Sequence, residues 1–409
     1  MSDGIVMYVL LFISLYFEVF MLVSFLRRHS SGGSIVSATQ GNVYEPKVAI
    51  VVPCFNEGKT LAATVTSLLS LDYPHDKLEV YVVDDGSRDN TLAVANAFGT
   101  DPRIHVLHKE NGGKHSAMNL ALSMTDAELI GCLDADSVVT PGALRKIAPI
   151  FENQSIAAVT PGIQTKKPEN LLQHMQEAEY RLGIFVRFTL ASLGSAYITP
   201  GPFSIFRASV VRSTGGWKHG HSTEDLEMAL RIQDAGYMIA NAPSAIVLTG
   251  TPRTLPALFR QRVRWSYGFL RNGVDYRHMF ASKKYGNLGV IILPTALLSI
   301  GIAVYFFVHL VLSLLQTLMH QVVKIEILGF SFHPSFNAFY IDTSALWMIV
   351  LVSVSIVVAL ITVGTYIGTG KHRPPMGTAL FVLFYSLLAP VWLGTAAVRA
   401  AFKTGVRWR

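Results

Sequence analysis

Glu79-Val-Tyr-Val-Val83 runs straight into Asp84-Asp85-Gly86-Ser87, and Ala127-Glu-Leu-Ile-Gly-Cys-Leu133 runs into Asp134-Ala135-Asp136. Both are short, mostly apolar runs that stop at paired acids, so both read as buried strands whose ends carry the polar chemistry. Val48-Ala-Ile-Val-Val52, ending at Pro53, and Arg103-Ile-His-Val-Leu107 are of the same kind. Helical spacing separates the four runs, at about 58–70, 89–98 and 113–124; Leu61, Val65, Leu68 and Leu69 mark the first. Strand–helix alternation of this sort predicts a mostly parallel sheet with helices on both faces. In such a sheet, ligands bind beyond the carboxyl ends of the strands, where these acids fall.

Outward from that core the chain becomes too apolar for an ordinary soluble enzyme. It has 409 residues, 51% hydrophobic and only 15% charged, where roughly 25% charged is usual. Residues 5–26, 287–318, 344–368 and 376–402 are long, nearly charge-free runs, and about 20 apolar residues suffice to cross a bilayer core. The expected order is one membrane helix within 1–28, a linker at 29–44, an α/β domain over 45–254, an amphipathic helix at 255–285, and about three membrane helices in 286–409. Residues 5–26 lack a basic leader, and Arg27-Arg28-His29 follow them. They read as a retained anchor whose following end is cytosolic. This makes the chain a multi-pass protein of the cell membrane with a cytosolic central domain. Glu18 lies inside the first run, where a charge is expensive.

The net charge of +7 does not point to nucleic acid. Arg27, Arg28, Lys283, Lys284, Lys371, His372 and Arg373 cluster at membrane borders, as positive-inside topology requires. Cys54 and Cys132 are too few for a zinc framework. The C-terminal end fits less well. Four spans place it outside, yet Arg399, Lys403, Arg407 and Arg409 crowd it. Pro390 interrupts the last run, and 287–318 is long enough for two short segments. Four spans are the expectation kept here.

Residues 169–193 and 255–280 mix apolar, aromatic and basic residues at helical spacing. Such helices lie on a membrane surface or pack on the sheet with their arginines turned to water.

Several clusters carry chemistry, each with a plainer reading beside it. Asp84-Asp85 before Gly86 either shape a turn or meet a ligand. Alternation puts Asp134 and Asp136 on one side. Two such carboxylates repel, so they need a cation or a proton; Mg2+ or Mn2+ shared with a phosphate would serve. Thr223-Glu224-Asp225 opens a helix at about 224–236. Thr223 caps it with the acids at its positive end, or one carboxylate is a general base. Asn111-Gly112-Gly113-Lys114 offers backbone N–H groups and an ammonium to phosphate, without the spacing of a P-loop. In Gln261-Arg262-Val263-Arg264-Trp265, an arginine suits a leaving diphosphate and an indole a sugar face; an interfacial anchor is the alternative. His219 and His221 are an exposed loop pair or metal ligands. Neither G-x-S-x-G nor H-E-x-x-H occurs, so hydrolase chemistry has no support.

Taken in order, Pro53-Cys54-Phe55-Asn56-Glu57, Asp84-Asp85-Gly86-Ser87, Asn111-Gly112-Gly113-Lys114, Asp134-Ala135-Asp136, Thr223-Glu224-Asp225 and Gln261-Arg262-Val263-Arg264-Trp265 resemble the processive, inverting family 2 glycosyltransferases of GT-A fold. That group holds poly-N-acetylglucosamine, chitin-oligosaccharide, hyaluronan and cellulose synthases. The resemblance covers about residues 45–285, and it implies the following. Asp84 and Asp85, with Pro53 and Glu57, hold the uridine of a UDP-sugar, and Lys114 helps at the nucleotide or sugar. Asp134 and Asp136 meet the donor and its divalent metal, Mg2+ or Mn2+, with Asp136 the metal ligand. Asp225, beside Glu224, deprotonates the acceptor hydroxyl. Arg264 sits at the diphosphate. Trp265, with Gln261, lies under the acceptor sugar. Thr199-Pro200-Gly201-Pro202, with Arg207, resembles the acceptor-side stretch, which adds Gly201 and Pro202.

The activity so implied is transfer from a UDP-sugar to a growing β-linked polysaccharide. The acceptor is a glycan or a lipid-linked glycan. Membrane lipid and accessory exopolysaccharide subunits are the further expected partners. N-acetylglucosamine is the expected sugar, from the compact layout with one leading span and no added regulatory domain. The alternative is a non-processive transferase adding one sugar to a lipid; the Q-x-x-R-W series argues against it. An inactive nucleotide-binding scaffold is disfavoured by the intact acidic clusters.

Overall fold

The computed structural model describes residues 3–30, 44–329 and 344–404. Most of the linker expected at 29–44, together with Arg407 and Arg409, lies outside the described residues.

The chain begins with a long helix, α1 (Asp3–Ser30), and then builds β1 (Val48–Cys54), α2 (Leu61–Leu69), β2 (Leu78–Asp84), α3 (Thr91–Asn96), β3 (Ile104–His108), α4 (Lys114–Met124) and β4 (Leu129–Cys132). These are the four strands and three helices expected. Along β1, Val48, Ile50 and Val52 point to one face, where Leu61, Val65 and Leu68 of α2 cover them. Ala49 and Val51 point to the other, under Ala117, Met118 and Ala121 of α4. The period of two thus feeds two cores, one on each side of the sheet.

Beyond β4 the chain departs from simple alternation. β5 (Val138–Val139), α5 (Ala143–Ile147), β6 (Ile156–Thr165), α6 (Leu171–Ser192), β7 (Ile205–Arg207), α7 (Ala208–Ser213), α8 (Glu224–Asp234) and β8 (Met238–Thr249) follow. The eight strands form one sheet in the order β3-β2-β1-β4-β7-β6-β8-β5. β1, β2, β3 and β4 run parallel, as do β6 and β8, but β7 is antiparallel to both β4 and β6, and β5 to β8. The sheet is therefore mixed. β6 and β8 carry Pro161, Gly162 and Pro243, and their pairing shifts register between Pro161 and Gly162. A Cβ on Gly162 would run into the Pro243 carbonyl. This bulged contact tolerates residues that argue against a central strand.

α9 (Leu255–Asp275) leads into the C-terminal helices, α10 (Leu293–Leu328), α11 (Ala345–Thr369), α12 (Thr378–Leu380) and α13 (Ser386–Ala401). Among the described residues, four stretches are long and apolar enough to cross a membrane: Gly4–Arg28, Leu288–Ile327, Ala345–Thr369 and Thr378–Ala401. The second is one helix, not two short segments. α10 alone is about 54 Å long at 1.5 Å per residue, well beyond the roughly 30 Å of a bilayer core. A π-turn at Phe381–Tyr385 joins α12 to α13, and Pro390 sits inside α13 without breaking it.

α6 and α9 hold the sheet against these helices. Gln173 and Gln176 of α6 donate to the Thr251 and Pro252 carbonyls at 3.1 and 2.9 Å. On another face Gly364 and Gly368 of α11 let that helix close onto Arg181, Ile184 and Phe185. α9 packs Val263 and Tyr267 against Trp392 and Ala396 of α13. A different face of α9 abuts the start of α8. Its arginines are not all turned to water: Arg262 is only 3% exposed.

Candidate active site

The ends of β1 and β2 are laced together. Asn56, with φ 56°, donates its N–H to Ser87 Oγ and accepts from the Arg88 N–H, both at 2.9 Å. Asp84 is fully buried. Its carboxylate accepts from the Ser87 N–H at 3.2 Å and meets His108 Nδ1 at 2.7 Å. Asp84 therefore serves any ligand here through the groups that it holds. Asp85 binds the glycine-rich loop, accepting from Lys109 Nζ at 2.7 Å and from the Gly112 and Gly113 N–H groups at 3.0 and 2.8 Å. Gly86 adopts φ 78°, and a Cβ there would stand 2.9 Å from the Asn111 nitrogen. The paired acids thus do shape turns, as their plainer reading had it. Pro53 lies at the end of β1 and Glu57 just beyond it, both half-buried. Glu57 accepts from Thr60 Oγ1 at 2.9 Å.

Asp134 and Asp136 follow β4 in a turn rather than on the strand, so strand alternation does not place them. They meet different partners. Asp134 accepts from Lys114 Nζ at 2.5 Å, and Lys114 also lies 3.8 Å from Glu224. Burial would lower the Lys114 pKa, but Asp134 and Glu224 hold the ammonium charged well above its usual range. Asp136 accepts from Ser137 Oγ at 3.0 Å. Burial and the nearby Asp134 push its carboxyl up to about 6. A buried carboxylate destabilised in this way favours a cation. Among the described residues no three His, Cys, Asp or Glu side chains converge on a metal position. That donor set fits a Mg2+-like ion that takes one or two carboxylates and completes its shell with phosphate and water.

Gly201 lies against the Lys114–Asp134 pair: a Cβ would stand 2.5 Å from Lys114 Nζ and 2.9 Å from Asp134 Oδ2. Pro202 follows in the same loop, half-buried. Thr199 donates Oγ1 to the Asp225 carbonyl at 2.7 Å, docking the Thr199–Pro202 loop on the start of α8. Lys114, Gly201, Glu224 and Asp225 then line one small cavity with Cys132 and Trp217. Burial and the neighbouring Glu224 push the Asp225 carboxyl up to about 6, against the pull of Lys114 and Arg264.

Thr223 does not cap α8 with its side chain; its hydroxyl donates to the Gly220 carbonyl at 2.9 Å. The turn before it is tight, with His221 and Ser222 both left-handed at φ 53° and 66°. Three contacts from elsewhere pin it. Asn272 donates to Gly220 O at 2.9 Å and Thr223 Oγ1 at 3.0 Å, and Arg264 Nη1 donates to Ser222 O at 2.9 Å. Gly268 has no room for a Cβ against Thr223. His221 pairs with Asp275 at 2.8 Å, and His219 stands edge-on to His115. Gln261 is half-buried and Trp265 is 38% exposed.

Arg207 falls away from this group. β7 runs antiparallel to β4, pairing Arg207 with Leu129 at the far end of the sheet. There Arg207 donates to the Phe151 carbonyl at 2.6 Å. Conversely, reading by motif passed over Asn272, Gly268 and Glu179. Asn272 and Gly268 share one face of α9 with Arg264, at i, i+4 and i+8, and that spacing was visible. Glu179 gave no signal of its own, being one of two acids, with Glu177, in a helix of mixed polar and apolar residues.

An α/β sheet with acids at its strand ends, joined to membrane-length helices, has the architecture of a glycosyltransferase of GT-A fold. A family model described as glycosyltransferase like family 2 matches residues 46–268, and the chain belongs to that family. Among curated relatives, a poly-beta-1,6-N-acetyl-D-glucosamine synthase of Staphylococcus epidermidis is 26% identical over 392 residues, covering 95% of this chain and 90% of the relative. The synthase of the same description from Staphylococcus aureus strain COL is 31% identical over 226 residues, 54% of each chain. Among solved structures, a mannosyltransferase of Pyrobaculum calidifontis in complex with GDP-Man and Mn2+ superposes with a TM-score of 0.57 at 16% identity, covering 97% of this chain and 99% of that one.

Proposed function

We propose that this chain polymerises N-acetylglucosamine from UDP-N-acetylglucosamine into a β-linked glycan at the membrane, its catalytic domain on the cytosolic side. The observation that carries the reading is Asp225. It is a buried carboxylate sharing a cavity with Lys114 and Gly201, and the turn just before it is held by Arg264. The near full-length likeness to poly-N-acetylglucosamine synthases supports the sugar.

The chemistry assigned to each group follows from charge. Asp225, near pH 6 in its titration, accepts the acceptor hydroxyl proton at neutral pH. The hydroxyl oxygen bonds to the anomeric carbon as the bond from that carbon to the diphosphate oxygen breaks, and UDP leaves with the electron pair. One displacement inverts the anomeric centre. Arg264 and Lys114 offer positive charge where the diphosphate gains negative charge. Asp136, with Asp134 beside it, would hold a divalent ion. Such an ion supplies Lewis-acid stabilisation of the leaving diphosphate when bound. Asp85 and the loop that it ties, with Pro53 and Glu57, form the nucleotide side. Trp265, Gln261, Gly201 and Pro202 form the acceptor side.

Purified protein in nanodiscs, given labelled UDP-N-acetylglucosamine, should yield a ladder of N-acetylglucosamine oligomers and polymers. A single lipid-linked sugar as sole product would overturn polymerisation in favour of one-step transfer.

A further inference from the structure

Arg262 sits between two residues that no sequence motif connects. One guanidinium nitrogen donates to Glu179 Oε2 of α6 at 2.6 Å. Its central carbon lies over the Trp265 ring, 4.3 Å from the centroid. Glu179 Oε1 accepts from the Tyr385 hydroxyl at 2.7 Å. The chain Tyr385–Glu179–Arg262–Trp265 thus runs from the last membrane helix to the exposed indole.

Each link has a physical reason. Arg262 is nearly sealed from water, and a buried guanidinium needs a carboxylate partner. Arg262 and Trp265 are three residues apart on α9, so they share a helix face. Arg262 covers the ring by cation–π attraction, and the indole keeps 38% of its surface exposed for a ligand. Tyr385 is the last residue of the π-turn in its helix. An inserted residue of that kind re-aims the side chains after it, and π-turns recur at functional positions. Tyr385 also packs against Phe381 at 4.7 Å and Trp392 at 5.2 Å between ring centroids. Trp392 is the residue on which Val263 and Tyr267 of α9 rest.

We propose that Glu179 is a positioning residue: through Arg262 it fixes the tilt of the Trp265 ring, and through Tyr385 it ties that tilt to the last membrane helix. This rests on the reading of Trp265 as the platform for the acceptor sugar. A loosened ring releases the growing chain sooner, so chain length should respond more than the rate of transfer.

The test measures product length and UDP release together, in nanodiscs, for Tyr385→Phe, Glu179→Gln, Trp265→Ala and Leu388→Ala. Leu388 packs in the same region and controls for general loosening. Tyr385→Phe and Glu179→Gln should shorten the mean product at least threefold, with a smaller fall in UDP release, and their double variant should be no shorter than the worse single one. Leu388→Ala should lower thermal stability without that shortening. Shortening in Trp265→Ala but wild-type length in both Tyr385→Phe and Glu179→Gln overturns the coupling alone. Wild-type length in Trp265→Ala overturns the acceptor reading itself, and the coupling with it.

Discussion

Lys114 donates to Asp134 across 2.5 Å, and Gly201 seals that pair so closely that a Cβ would touch both partners. The pair comes from the first turn of α4 and the turn after β4, twenty residues apart. Lys114 also faces Glu224, so one ammonium balances two carboxylates at the wall of the Asp225 cavity.

Gly201→Ala should therefore push Lys114 and Asp134 apart while leaving the Asp225 carboxylate chemically intact. We expect a 10- to 100-fold loss of UDP release, with the protein still folded by thermal melting. Gly142→Ala, at a position with nothing within 4 Å of the added carbon, is the control and should behave as wild type.

Lys114→Met leaves Asp134 and Glu224 without their shared cation. Removing one partner of a buried ion pair costs roughly 3–5 kcal/mol. The cost here should be smaller, because the Asp134 side chain is 33% exposed. Activity should fall at least 100-fold, and Lys114→Arg should recover only a small part of it, since a planar guanidinium does not replace a compact ammonium. Transfer rates and melting curves on both variants check this.

Asp225 and Asp136 both titrate near 6 in the fold, above about 3.9 for an unconstrained aspartate. A carboxyl raised by folding adds stability that is fully present below pH about 4 and lost as pH rises through about 6. At pH 7.5 each is ionised against its burial. Asp225→Asn should then melt a few degrees higher than wild type at pH 7.5, and the gain should vanish near pH 4. Activity moves the other way. Wild-type kcat/KM should rise with pH up to about 6 and then level, as the base loses its proton.

Gly268→Ala tests the clamp between α9 and α8. The added methyl collides with Thr223, displacing the turn that Arg264 and Asn272 hold. UDP release should fall more than tenfold and the melting temperature should drop. Gly301→Ala in α10, which has open space for the methyl, should change neither.

The first half of the sheet was legible because β-branched runs end abruptly in acids, as β2 does at Asp84. β6 and β8 were not, because Pro161, Gly162 and Pro243 mimic loop chemistry and only the bulged pairing accommodates them. The acidic clusters could be found by type, but not their partners. Asp134 meets Lys114, and Asp85 meets the loop at Gly112 and Gly113, through tertiary geometry that no local spacing encodes. Arg207 was misplaced for a related reason. A loop beside the site leads into an antiparallel strand, and three residues of that strand carry it to the far end of the sheet. The four membrane-length helices were legible from apolar length alone. The docking of α9 on Trp392 and Ala396 was not, because an amphipathic helix against a membrane helix has the same pattern as one against lipid.

The most direct measurement is UDP release from nanodisc-held protein with Mg2+ or Mn2+, across UDP-N-acetylglucosamine, UDP-glucose and UDP-glucuronate, beside Asp225→Asn. Turnover with UDP-N-acetylglucosamine, absent in the variant and abolished by chelation, is the expected result. Turnover with another donor alone, or equal turnover in Asp225→Asn, would contradict the account.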